Sequence, residues 1–254
     1  MSNEKITPLE VSLTPKKQDF ISVHPLCCLH LGAVNCDIDK IKQLLAQINK
    51  DPNSYIIMAG DTCENVTASS AAKHKGSMFD QNLNPKDQVK LAVELLKPLQ
   101  HKILAMLESN HSLRSWQETQ FSIEETISDK LRVPFLNTDG LFHIKVGSQI
   151  YKIHVTHGAG GCSTAGGVIQ KVMYHANRFQ GMDCHVNGHY HTPVVTKRDI
   201  FDSDGNKSTK TFVATGSFLS YVDSYAHRAL YMPSYLGIPE LQLFNKTHEI
   251  KVLI

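Results

Sequence analysis

Asn187-Gly188-His189-Tyr190-His191-Thr192-Pro193 follows directly on the apolar run Met182-Asp183-Cys184-His185-Val186. The run reads as a short buried strand that ends in a turn at the glycine. His189 and His191 are one residue apart, so an extended chain places both imidazoles on one side, and Gly188 lets backbone and ligand approach closely. Neutral imidazole is the commonest protein metal ligand. Two polar loop histidines would look the same in isolation, so the decision rests on what stands at the ends of the other strands.

Upstream, apolar runs of strand length recur, and each ends in residues of ligand type. Phe20–Val23 with Leu26–Leu29 breaks into Cys28-Leu29-His30-Leu31-Gly32, and Ser54–Ala59 ends in Gly60-Asp61. Ile103–Leu107 ends in Glu108-Ser109-Asn110-His111, and Gln149–Thr156 ends in His157-Gly158 and a glycine-rich loop through Gly167. Asp61 alone reads as a turn residue, Asn110 as a helix cap and His157 as a loop histidine. Together they place one carboxylate, one carboxamide and several imidazoles at the same structural position. In open α/β sheets, ligand sites gather at the carboxyl ends of strands, and this donor set suits divalent transition metals.

Between these runs the periodicity turns helical. Asp37 is placed to cap a helix over Ile38–Asn49, Pro85 opens one to about Gln100, and further helices fall within Ser122–Leu131 and over Val168–Phe179. Thr67–Asn84 reads as a polar loop. Hairpins are expected at Leu141–Val146 with Gln149–Thr156, at Val194–Ile200 with Thr209–Ala214, and at Leu241–Phe244 with Ile250–Leu253. Alternating strands and helices followed by hairpins define an α/β sandwich with a mixed sheet, in one domain over residues 18–254. Met1–Lys17 reads as a flexible or loosely docked arm.

The bulk numbers exclude several classes. The chain has 254 residues, 41% hydrophobic and 20% charged, with net charge +2. No basic surplus points to nucleic acid, and no apolar run approaches the ~20 residues of a membrane span. The polar, mixed-charge start lacks the apolar segment of a signal peptide. Six cysteines without tight spacing read as reduced thiols in a cytosolic compartment.

The order Cys-x-His, Gly-Asp, Asn-His, His-Gly, Gly-His-x-His resembles the calcineurin-like metallophosphoesterase superfamily, from about His24 to the end of the chain. Leu29-His30-Leu31-Gly32, Thr156–Gly161 and Thr215-Gly216-Ser217-Phe218 look most like the small phosphoesterases of bacteriophages and prophages, which would act in the host cytoplasm. The resemblance implies a β-sandwich of mixed sheets flanked by helices in four layers (αββα), with two divalent metals, zinc, manganese or iron, at its edge. Position 28, His30, Asp61 and His191 would hold one metal, and Asp61, Asn110, His157 and His189 the other, with Asp61 bridging. A hydroxide shared by ions ~3.5–4 Å apart would attack a phosphomono- or phosphodiester. His111 would lie outside the metal shell beside the phosphate and, protonated, would stabilise the transition state or protonate the leaving oxygen. Glu64 would orient His111; a plain solvated glutamate is the alternative.

The sequence departs from this pattern at three places. Cys28 stands where the family has Asp, Ser109 where it has Gly, and Ser112 where it usually has an acid. A thiolate at Cys28 would favour Zn²⁺ over harder ions; alternatively Cys28 is a buried thiol and the first metal site is weak. Asp37 is explained as a helix cap rather than a substitute ligand. The loop Gly158–Gly167 lacks the Lys-Ser/Thr ending of a nucleotide-binding loop; its N–H groups are placed to meet a phosphate, or it is only a tight turn. Tyr190, His74 and Arg114 are candidate substrate contacts, with packing or surface positions as the plainer reading. The functional expectation is a metal-dependent phosphoesterase acting on a phosphoester, nucleotide or nucleic acid included. Its rivals are a catalytically weakened metal-binding or assembly module and a DNA-end nuclease.

Overall fold

The computed structural model describes residues 5–73, 80–162 and 164–254. His74 lies outside the described residues, as do Lys75 and Gly76 of the expected loop. In chain order the first half contains β1 (Leu9–Leu13), β2 (Phe20–Leu26), α1 (Ile38–Lys50), β3 (Ser54–Met58), α2 (Ala68–Lys73), α3 (Pro85–Leu96), β4 (Ile103–Met106), α4 (Ser112–Thr119) and α5 (Ile123–Leu131). The second half contains β5 (Asp139–Val146), β6 (Gln149–Thr156), α6 (Ala165–Ala176), β7 (Cys184–Asn187), β8 (Val194–Phe201), β9 (Lys207–Ala214), α7 (Tyr225–Arg228), β10 (Glu240–Phe244) and β11 (Ile250–Leu253).

The strands form two mixed sheets, ordered β1-β5-β6-β7-β9-β8 and β11-β10-β2-β3-β4. In the second sheet β2, β3 and β4 run parallel, with α1 and α3 as the connections between them. Parallel strands joined by helices are buried on both faces, and their side chains alternate accordingly. Ile57 points into the core between the sheets with Ile21, Val23, Phe142, Ile153 and Val186. Its neighbours Ile56 and Met58 point the other way, against Ile41, Leu45, Val89, Leu96 and Ile127 of the helices. Across the sandwich, Val168 and Val172 of α6 cover Phe212 and Ala214. The result is the four-layer αββα arrangement of two mixed sheets flanked by helices.

Helix α1 follows from its sequence. Asp37 accepts a hydrogen bond from the Lys40 N–H at 3.0 Å, and Ile41, Leu45 and Ile48 bury one stripe. Burial of each is worth about 1.5–3 kcal/mol relative to exposure.

Four local expectations are corrected. Within the stretch read as a flexible arm, Leu9–Leu13 forms β1 and pairs in parallel with β5, from Leu9 opposite Phe142 to Leu13 opposite Val146. Lys16 is also stitched down, its N–H donating to Asn53 Oδ1 at 2.6 Å. The polar loop after Thr67 opens with the short helix α2. The helix from Pro85 ends at Leu96, and the chain continues as a tighter 3₁₀ helix over Lys97–Lys102. The helix expected from Val168 starts at Ala165, because Thr164 caps it through the Gly167 N–H. The three expected hairpins are present.

Candidate metal centre

Five strands deliver the site. The chain leaves β2 at Cys28 and His30, β3 at Asp61, β4 at Asn110 and His111, β6 at His157, and β7 at His189 and His191. Pairing persists past the strand ends: the Cys28 N–H donates to Gly60 O at 3.1 Å, His30 N–H to Asp61 O at 3.0 Å, and Gly188 N–H to Thr156 O at 3.2 Å. Close approach at Gly188 is obligatory, since a Cβ there would overlap Cys27 Sγ. Cys28 (φ 53°), His30 (49°), Asp61 (52°), His189 (72°) and His191 (57°) all hold left-handed backbone conformations. Each costs an L-residue roughly 1–2 kcal/mol, and such strain concentrates where a site demands it.

Of four clusters of candidate ligand atoms among the described residues, two share Asp61; the others are Cys27, Cys28 and His157, and His30, Glu64 and His111. Cys28, His30, Asp61 and His191 bring one ligand atom each within 4.8 Å of one another, and so do Asp61, His157 and His189. Asn110 Oδ1 joins the second group, 2.8 Å from His157 Nε2 and 3.1 Å from His189 Nδ1. Asp61 Oδ2 lies 3.1 Å from His157 Nε2 and 3.8 Å from His30 Nε2.

Proton accounting shows what these groups ask for. His157 Nδ1 donates to Ala59 O at 2.9 Å, which turns Nε2 towards two oxygens, Asp61 Oδ2 and Asn110 Oδ1; without a cation a proton on Nε2 bridges them. His30 Nδ1 donates to Glu64 Oε2 at 2.8 Å, which turns its Nε2 towards His191 Nε2 at 3.1 Å; burial opposes a charge on His30, but Glu64 and Asp61 raise its pKa. Imidazole nitrogens, the shared carboxylate and the carboxamide oxygen converge on common points where protons on His30 and His157 now bridge them, and a divalent cation would take the place of those protons. The charges respond in kind. Burial opposes ionisation of Asp61, but His111, His157 and His30 together hold its carboxyl well below the usual range. Burial lowers the His157 pKa, yet the Asp61 carboxylate and Cys27 drive it well above the usual value. Burial, then His30, keeps His191 neutral, and burial with His157 brings His189 down to about 4. The set of imidazoles, one shared carboxylate, one carboxamide and one thiol fits a pair of divalent transition ions. Cys28 is fully buried, and burial with Cys27 at 3.2 Å pushes its thiol pKa well up, so only a cation at this point would favour the thiolate.

The residues around the donors are arranged differently from the sequence expectation. The Glu64 carboxylate binds His30, a donor residue, while the Glu64 backbone carbonyl accepts from His111 Nδ1 at 2.8 Å. The Glu64 Oε2 to His111 Nδ1 separation is 3.7 Å. Burial opposes its ionisation, but His111, His30 and Arg114 hold the Glu64 pKa at about 2. His111 Nε2 accepts from Arg114 Nη2 at 2.9 Å, and burial takes its pKa down to about 4 despite Asp61 and Glu64. The positive charge expected of His111 is therefore carried by Arg114, three residues on in the first turn of α4.

Ser109 and Ser112 are built into a buried polar network. Ser109 Oγ donates to Glu124 Oε1 at 3.0 Å and accepts from the Ser112 N–H, while Ser112 Oγ accepts from the Ile123 N–H at 3.0 Å. This ties the Asn110–His111 turn to α5 without the glycine and acid of the expected pattern. Tyr190 packs under α6, and its hydroxyl donates to Ala159 O at 3.0 Å. Cys27 and Asn65 were not visible as site residues. Cys27 is masked by its place in an apolar strand run, yet its Sγ donates to Ala59 O at 3.1 Å and lies 3.5 Å from His157 Nδ1. Asn65 lies in a stretch without periodicity, and its amide donates to His111 O at 2.6 Å.

The donors open onto a groove of about 1150 Å³ whose walls include Glu64, His111, Arg114, Asp80 and Arg228. No helix among the described residues is long and apolar enough to cross a membrane.

No family model matches the chain, and no curated protein matches it. Among solved structures, one that is similar is a conserved uncharacterised protein from Streptococcus pneumoniae TIGR4, described as a predicted phosphoesterase. It is 14% identical, with 93% of this chain and 90% of that chain covered and a TM-score of 0.41. So loose a likeness assigns no chemistry. The fold and the site define an αββα sandwich carrying a candidate centre for divalent cations at the carboxyl ends of its strands.

Proposed function

We propose that this protein is a metal-dependent phosphoesterase. The observation that carries the reading is Asp61: one buried carboxylate shared by two groups of donors, each group completed by imidazoles. Cys28, His30 and His191 would hold one ion with Asp61, and Asn110, His157 and His189 the other. Bound there, a divalent pair supplies an activated water as nucleophile and offsets charge on the phosphate oxygens. The chain's own groups do the rest. Glu64 fixes the tautomer of His30 by accepting a hydrogen bond from its Nδ1–H, and Ala59 O does the same for His157. Arg114 spends Nη1 on Glu64 O and Oε1 and one Nη2 proton on His111. A guanidinium has five N–H donors, so donors remain for a phosphate oxygen in the groove. His111 acts here as the acceptor that aims Arg114. The thiol at position 28 favours zinc over harder ions at that site.

Hydrolysis of mono- and bis-p-nitrophenyl phosphate tests the reading, with the protein stripped by chelation and then reloaded with Zn²⁺ or Mn²⁺. Turnover that disappears on stripping and returns on reloading is expected. No metal-restored turnover on these esters, nucleotides or DNA would overturn it.

A further inference from the structure

His189 and His191 stand between two cavities that differ in whether charged side chains line them. The groove on one side is walled by charged groups, among them Glu64, Asp80, Arg114, Asp223 and Arg228. On the other side lies a cavity of about 170 Å³ walled by Tyr221, Tyr231, Met232 and Leu236, with the hydroxyl residues Ser217 and Ser234 between them. No Lys, Arg, Asp or Glu lines this second cavity among the described residues. A substrate whose phosphorus sits at the two histidines therefore has two directions in which to extend, and they accept different chemistry.

The small cavity offers a charged arm no counter-charge, so a neutral arm suits it better. Its volume is below the ~300 Å³ at which drug-sized pockets begin, so it suits one ring system rather than a chain. Tyrosine rings and a thioether favour the face of a planar ring, and hydroxyls satisfy nitrogen and oxygen atoms at its edge. We propose that this cavity is the subsite for a neutral, planar heteroaromatic arm of the phosphoester, a nucleobase in the simplest case. Phosphorus lies at His189 and His191, and the remainder of the ester runs into the charged groove. This rests on the phosphoesterase reading and narrows it to nucleotide-class esters.

Calorimetric titration of the zinc-reconstituted protein with AMP, ribose 5-phosphate and inorganic phosphate tests the subsite. AMP is expected to bind about tenfold or more tightly than ribose 5-phosphate, the increment of one stacked base. Ser234→Trp fills the cavity, and Met232→Ala removes part of a wall whose side chain is 77% exposed and carries no core packing. Each should move the AMP to ribose 5-phosphate affinity ratio towards one. Equal affinities in the wild type, or a preference for AMP that survives both substitutions, would overturn the subsite. Inorganic phosphate that fails to bind, together with absent turnover on every ester, would overturn the phosphoesterase reading itself.

Discussion

Asp61 accepts the His111 N–H through Oδ1 at 3.2 Å while Oδ2 faces His157 and His30. Asp61→Asn keeps that shape and removes the shared charge. Metal content should fall from about two ions per chain to one or none, with turnover at background, because paired-ion chemistry needs both. Elemental analysis of the purified variant checks this; two retained ions would show that Asp61 is not shared. Cys28 poses a sharper alternative, since a buried thiol is either a ligand or a bystander. If it is a ligand, Cys28→Asp should shift activation from Zn²⁺ towards Mn²⁺, and Cys28→Ser should weaken zinc binding. If it is a bystander, Cys28→Asp should raise stoichiometry and rate, and Cys28→Ser should change neither. Identical metal content, preference and rate in all three proteins would put position 28 outside the site. Arg114 and His111 form one unit, so Arg114→Gln should lower kcat by about 10²–10³ without loss of metal. Adding His111→Ala to that variant should cost little more; additive losses in a double-mutant cycle would contradict the pairing.

Helix α5 positions Glu124 beneath the Asn110–His111 turn, where Oε1 also accepts the Thr62 N–H at 3.3 Å. Burial, then Glu108, raises its pKa to about 7. An unfolded chain releases this proton near pH ~4.3, so between that value and about pH 7 the folded state binds the extra proton. Stability contributed by Glu124 therefore falls across that window and stays low above it. Glu124→Gln keeps an oxygen for Ser109 and Thr62 and should gain up to about 3 kcal/mol on the wild type between pH 4.5 and pH 8 in metal-free protein. Urea denaturation at several pH values measures it, and parallel profiles would contradict it. The strands and long helices were legible because apolar periodicity marks them, as in Ile38–Lys50 and Ser54–Met58. Helix α4 was not, since only Ser112 and Ser115 are buried in Ser112–Thr119 and no apolar stripe exists to find. Strand β1 escaped because Leu9–Leu13 lies at a sheet edge, with Leu13 alone among its residues buried. The donors at strand ends stood out by type and position. The partners of Glu64 did not, because two histidines compete for one carboxylate and only three-dimensional packing selects His30.

Both sheets contribute donors: β2, β3 and β4 from one and β6 and β7 from the other. A bound cation therefore ties the two halves of the sandwich together, and binding to the folded state alone must stabilise it. At a hundredfold excess over Kd this is worth about 2.7 kcal/mol, or roughly 5–10 °C in melting temperature for a domain of this size. Thermal unfolding with and without chelator should show that difference, and identical melts would argue against a built metal centre. The most direct test of the central claim combines metal counting with catalysis on one sample. Zinc-loaded, desalted protein analysed by mass spectrometry of its metal content should carry about two ions per chain and hydrolyse bis-p-nitrophenyl phosphate. Fewer than one ion per chain, with no hydrolysis, would contradict it.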